Sequence, residues 1–256
     1  MTLELRPFVV TGCARSGTAY MALVLSRLGL RCGHEVVFGP RSRAFTGFHG
    51  QHGDSSWLAA PFLAQLPSDT LVIHRIRHPL RVVRSLLGVQ FFQDRTNAWL
   101  WSDDAYTRGK WQVRRALMAA GHVEPSAKGP RPHTVYRAFL NTYAPQVWDE
   151  PSPAHRALRY WADWNGLVEQ QVAAAGLTYR RHLVEDYDDN ALAADLTDVG
   201  LPISADHVHL VTESVPRDTN SRRTSDDTWG DLPDSPAKAA AAELAVHYGY
   251  DPDAPR

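Results

Sequence analysis

Hydrophobic positions along this chain keep two rhythms. Short apolar runs occur in PFVVTG near the start, in TLVIHRIR at 70–77 and, more mixed, in LTYRRHLVEDY at 177–187. Runs of that length, bounded by glycine, proline or charge, predict strands. Between them apolar residues recur every three or four positions. Met21, Val24, Leu25 and Leu28 do so in SGTAYMALVLSRLGL, with Gly29 at the predicted stop. Pro79 sits where the first turn of a helix tolerates it, and LRVVRSLLGVQFF predicts that helix. Residues 157–176 predict a long amphipathic helix, and SPAKAAAAELAVHYGYD a last one before a fraying tail.

Alternating strands and helices predict an α/β fold, with a central, mostly parallel sheet flanked by helices. Residues 88–153 are rich in aromatics and prolines. They are expected as helices and loops crossing the top of the sheet, where such folds bind ligands. No linker-like run divides the chain, so 1–256 is expected to form a single domain.

Composition changes this picture little: 44% of the 256 residues are hydrophobic and 21% charged, as in ordinary globular proteins. No apolar run reaches the roughly 18 residues that span a bilayer, and the first residues show no basic stretch leading into an apolar one. Cys13 and Cys32 make no disulfide framework, and no Cys/His spacing predicts a metal site. A cytoplasmic protein without a membrane span is the expectation.

Charge is more informative. The net charge is −1, yet residues 5–93 hold arginines 6, 15, 27, 31, 41, 43, 75, 77, 81 and 84 against only Glu35, Asp54 and Asp69. Local positive charge in a neutral chain predicts one anionic ligand at one site. Strand ends and a loop carry it, with no basic face interleaved by aromatics, so nucleic acid is not expected as a partner.

The loop between the first strand and helix reads GCARSGT. Gly12 and Gly17 have the GxxxxG spacing of a P-loop, but Thr18 stands where the nucleotide triphosphatases place lysine. Backbone N–H groups of residues 16–19 at a helix N-terminus, the hydroxyls of Ser16 and Thr18, and the forked cation of Arg15 predict an anion cradle. A plain strand–helix turn capped by Ser16 is the simpler alternative. A second motif, RHPLRVVRS, puts Arg77 at a strand end and Ser85 eight residues on, about two turns into the helix.

GCARSGT followed by RHPLRVVRS resembles the sulfotransferases that use 3′-phosphoadenosine 5′-phosphosulfate (PAPS). The resemblance implies a P-loop-like nucleotide-binding fold. Arg15, Ser16, Gly17, Thr18 and Ala19 would hold the 5′-phosphosulfate, and Arg77 and Ser85 the 3′-phosphate. Arg81 departs from the aspartate that family members often carry there. LVEDYDDNALAADL resembles the family's strand with a Glu-Asp segment. TNSRRTSDDTWGDL resembles its C-terminal segment, which makes Arg222 and Arg223 candidates to close over the 3′-phosphate.

The implied activity is transfer of the sulfuryl group of PAPS to a hydroxyl of a small-molecule or carbohydrate acceptor, releasing 3′,5′-ADP, with no metal. In the family a Glu or His after the first helix serves as base, which makes Glu35 the first candidate and His34 the second. His49 and His52 are further candidates on a glycine-bearing loop. Trp99, Trp101, Tyr106 and Trp111 are candidates for an apolar acceptor pocket, whereas Trp57 is expected to pack rather than to stack on adenine. The alternatives are a kinase with an atypical loop and a non-catalytic nucleotide-binding protein. Oligomeric state and the acceptor are not legible.

Overall fold

The computed structural model describes residues 5–93, 133–216, 219 and 226–254. Among the described residues five strands form one sheet: β1 (Phe8–Thr11), β2 (Cys32–His34), β3 (Gly53–Ser55), β4 (Leu71–Ile76) and β5 (Thr178–Leu183). Their order is β2-β3-β1-β4-β5 and every pairing is parallel, with Val10 beside Ile73 and Val9 beside Asp54. The expected single-domain α/β fold is therefore present, and its sheet is wholly parallel.

Seven helices flank the sheet among the described residues: α1 (Thr18–Arg27), α2 (Pro79–Gly88), α3 (His133–Tyr143), α4 (Pro153–Ala175), α5 (Asp189–Asp198), α6 (Ala205–Ser214) and α7 (Pro236–His247). A 3₁₀ segment, Trp57–Gln65, follows β3. None of these helices is long and apolar enough to cross a membrane. The faces of the sheet bury different chemistry. Val9, Val72 and Ile76 point toward α2, α4, α7 and the 3₁₀ segment, into a core rich in rings such as Phe62, Phe139, Tyr160, Trp161 and Trp164. Phe8, Val10, Leu71 and Ile73 point toward α1, α5 and α6, into an aliphatic core with Met21, Val24, Leu25, Leu192 and Leu196.

Three predicted boundaries move. The helix after Pro79 stops at Gly88 rather than running through Phe92. Gln90 adopts a left-handed φ of 55°, and the N–H groups of Gln90 and Phe91 bond back to Leu87 and Leu86 in a Schellman closure. This frees Phe91 and Phe92 to turn into the core. The third predicted strand shortens to β5, and the long helix begins earlier, at Pro153, with the hydroxyl of Ser152 accepting from the His155 N–H.

The topology also places the site. From β1 the chain crosses to the β2 side of the sheet, and from β4 it crosses to the β5 side. Neighbouring parallel strands whose connections leave in opposite directions open a crevice at their carboxyl ends. Here that crevice lies between β1 and β4, beyond Thr11 and Ile76.

Candidate functional site

The β1 loop is built by two glycines. Gly12 lies against the carbonyl oxygen of Arg75 in β4, where any Cβ would collide, so loop and strand end are clamped together. Gly17, at a φ of 80°, is the N-cap of α1 and has no side-chain cap; its Cβ direction is open. The hydroxyl of Ser16 does not cap the helix. It is fully buried 3.0 Å from Cys13 Sγ, and the Ser16 N–H donates to Cys13 O at 3.2 Å. Ser16 therefore closes the loop from within, and of the expected cradle donors those at Gly17, Thr18 and Ala19 lie along the cleft. Burial raises the Cys13 thiol to about 12, so it stays protonated. The loop is braced from the aromatic core by Tyr160, whose hydroxyl accepts from the Ala14 N–H at 2.7 Å.

Arg15 holds a left-handed φ of 76°, sparsely populated for a residue with a Cβ. Its Nε donates to Ser85 Oγ at 2.7 Å, and its carbonyl accepts from Arg77 Nη1 at 3.0 Å. The two motifs, 70 residues apart for Arg15 and Ser85, thus meet at the crevice. Trp161 fixes the far side by donating its Nε1 to Arg77 O at 2.9 Å. Helix α2 is set by Pro79 and by the His78 ring, which accepts from the Leu80 N–H.

The cleft is about 460 Å³ in volume and is lined by Arg15, Gly17, Thr18, Ala19 and Arg77 together with Arg75, Glu185 and Tyr187. His209, Thr212 and Glu213 of α6 form its outer wall. Glu185 lies at ion-pair distance from both Arg77 (3.8 Å) and Arg81 (3.6 Å). Its other carboxylate oxygen accepts from the Tyr250 hydroxyl at 2.6 Å and the His78 N–H at 3.2 Å. Arg81 is thereby tied to the β5 end.

The candidate bases stand beyond Thr18, at the carboxyl end of β2. His34 Nε2 is 3.3 Å from Thr18 Oγ1 and 3.9 Å from Glu35 Oε1. Glu35, at a φ of 57°, is 7% exposed, and its Oε2 accepts from the Tyr136 hydroxyl at 2.7 Å; the His34 side chain is 26% exposed. His52 lies elsewhere: its carbonyl accepts from Phe8 N and its ring from Arg31 N, so it sits at the amino ends of the strands, opposite the cleft. His49 bonds Thr46 in the loop leading there. Neither belongs with the crevice residues. Trp57 packs among Tyr136, Tyr160 and Trp164, as expected. Trp99, Trp101, Tyr106, Trp111, Arg222 and Arg223 lie outside the described residues.

Arg75 and Glu185 are cleft residues the sequence reading did not single out. A signal existed for Arg75, a charge inside the otherwise buried run LVIHRI. Glu185 lies in the Glu-Asp segment quoted above, but its place in the cleft is set by its long-range partners. Comparison with known protein families, with characterised proteins and with solved structures finds no match for this chain.

Proposed function

We propose that the chain is a PAPS-dependent sulfotransferase that sulfates a hydroxyl of a small-molecule or carbohydrate acceptor and releases 3′,5′-ADP. The observation that carries this reading is the meeting of Arg15, Arg77 and Ser85 at the crevice between β1 and β4. A nucleotide with phosphate on both its 5′ and 3′ oxygens needs two adjoining cation sites, one at a helix N-terminus and one at the next strand end. The residues fit such a ligand: the open face of Gly17 leaves room against the first turn of α1, and Arg77 Nε, 3.8 Å from Glu185, makes no hydrogen bond among the described residues. Thr18 in place of lysine fits a sulfonate better than a triphosphate.

PAPS supplies a sulfuryl group on a phosphate leaving group: the acceptor O–S bond forms as the bridging S–O bond breaks, and the acceptor proton must be taken up. In this reading the first-turn N–H groups of α1 and the Arg15 guanidinium stabilise charge on the sulfonate and bridging oxygens. For the proton the geometry favours His34 over Glu35, reversing the expected order. His34 reaches solvent and the Thr18 hydroxyl, whereas Glu35 is buried and held by Tyr136. Neutral His34 takes the proton at Nε2, and the Glu35 carboxylate stabilises the imidazolium.

Thermal unfolding with 3′,5′-ADP, 5′-AMP and ATP–Mg²⁺ tests the reading. A ligand at about 100 times its Kd adds ~2.7 kcal/mol, a shift of several degrees. Stabilisation by 3′,5′-ADP beyond that by 5′-AMP, abolished in Arg77→Ala, is expected. Stronger stabilisation by ATP–Mg²⁺ would overturn the proposal in favour of a kinase.

A further inference from the structure

We propose that Arg75 is the deep anion contact of the cleft, a guanidinium kept for a phosphate dianion of the bound ligand rather than for the fold. The inference rests on reading the cleft as a nucleotide phosphate site. Strand β4 carries a charge where its neighbours are aliphatic. The neighbours of Arg75 on its sheet face, Leu71 and Ile73, enter the aliphatic core beside α1, α5 and α6. Arg75 enters at the same side, is 2% exposed, and lines the cleft. Its Nε and Nη1 have no hydrogen-bond partner among the described residues.

What surrounds it does not answer the charge. The Tyr187 ring lies 5.3 Å from the guanidinium carbon, a cation–π contact that offsets part of the cost. Glu185 gives its Oε2 to Tyr250 and His78, and its Oε1, 3.8 Å from Arg77 and 3.6 Å from Arg81, accepts no hydrogen bond among the described residues, so its charge favours the Arg75 cation without pairing it. Asp189 is engaged by His209 at 2.9 Å and by Thr212 at 3.2 Å. Burial works against the charged form of Arg75, yet a guanidinium does not escape by losing its proton. A buried, unpaired fork beside an anion loop is arranged for an oxyanion from outside.

Position says which one. The Arg75 carbonyl is the surface against which Gly12 is clamped, so Arg75 stands directly behind the loop, and Arg77 follows two residues on. Two arginines lining the cleft from one strand end match the spread charge of a phosphate dianion.

The test compares wild type with Arg75→Met, of similar length and apolar, by melting temperature alone, with inorganic phosphate and with 3′,5′-ADP. Without ligand the variant is expected to melt at or above wild type, because an unpaired buried charge is gone. The shifts given by phosphate and 3′,5′-ADP are expected to fall with at least roughly tenfold weaker binding. A variant that melts several degrees lower yet keeps both shifts overturns the proposal, as does a wild type that neither ligand stabilises. Arg75→Lys guards against a folding failure: it keeps the charge, and is expected to melt like wild type but bind more weakly for want of the fork.

The two readings fail separately. If phosphate stabilises wild type through Arg75 but 3′,5′-ADP does not, the nucleotide reading falls and the anion site stands. If 3′,5′-ADP stabilises both proteins equally and phosphate does too, the nucleotide reading stands and Arg75 is not its contact. Phosphate adding to saturating 3′,5′-ADP in wild type alone would assign Arg75 to a phosphate on the acceptor.

Discussion

His74 and Arg75 are neighbours in β4, both buried, and they face opposite sides of the sheet. His74 is completely wired: Nδ1 meets the Tyr179 hydroxyl at 2.8 Å and Nε2 meets Asn165 Oδ1 at 2.9 Å. Asn165 in turn donates to Trp161 O. Arg75, one residue on, leaves two nitrogens unanswered. A buried polar group whose partners are all supplied by the protein serves the fold, and one whose partners are missing calls for another account. The contrast extends to the faces themselves. On the aromatic face the polar ends of Trp161, Trp164 and Tyr160 are tied to backbone, whereas the aliphatic face supports the cleft.

The strongest way to break the comparison is to truncate the wired face. Trp161 is fully buried in α4, packs near Tyr248, and holds the Arg77 carbonyl. Trp161→Ala is expected to cost about 3–5 kcal/mol of stability in urea unfolding. It should also weaken 3′,5′-ADP binding, because Arg77 loses its anchor. A cost below ~1 kcal/mol would mean that the aromatic face is not the principal core.

Acid should act on the wired residue next. Burial depresses His74 to about 4 from an ordinary value near 6.5. The folded protein keeps the ring neutral while the unfolded chain protonates it, so between pH 6.5 and about 4 the unfolded state binds more protons. Stability therefore falls as pH falls through that window, by roughly 3 kcal/mol in total. His74→Leu removes this slope, although at pH 7 it is less stable for leaving Asn165 and Tyr179 each short of a partner. His78, also held low by burial, contributes to both proteins and cancels in the difference. Parallel pH profiles for the two proteins would show that the His74 network does not hold a neutral ring.

Much of this architecture was legible because it is written locally. Strands β1 and β4 are apolar runs, Pro79 announces α2, and Gly29 marks the end of α1. Strands β2 and β3 were not singled out as strands, and physical reasons explain why. CGH and GDS are three residues long, too short for any periodicity, and their burial is tertiary. Asp54 reads as a turn residue, yet it is fully buried because its carboxylate accepts the N–H groups of Val36, Val37 and Phe38. Gly53 reads as a breaker, yet it is there because Phe8 lies where a Cβ would go. The site divides in the same way. Arg15 was legible as a cation in a glycine-bearing loop, and Arg77 and Ser85 through the resemblance their motif carries, whereas the surroundings of Arg75 and Glu185 depend on which partners other segments bring, or fail to bring.

The finest test asks whether the two sides also differ in how they open. Helix α4 buries a long series from Ala157 to Val172, while α6, the outer wall of the cleft, buries only Val208 and Thr212. Both begin with a serine cap, Ser152 and Ser204. Removing either cap should cost about 1 kcal/mol, but the cost should be felt differently. In Ser152→Ala the helix cannot open without the core, so global melting should drop by about 2–4 °C. In Ser204→Ala the loss should stay in α6, raising amide exchange there about fivefold while the melting temperature barely moves. The cleft wall would then be the segment that yields when a ligand enters, and equal global losses from the two caps would instead make α6 as firmly part of the fold as α4.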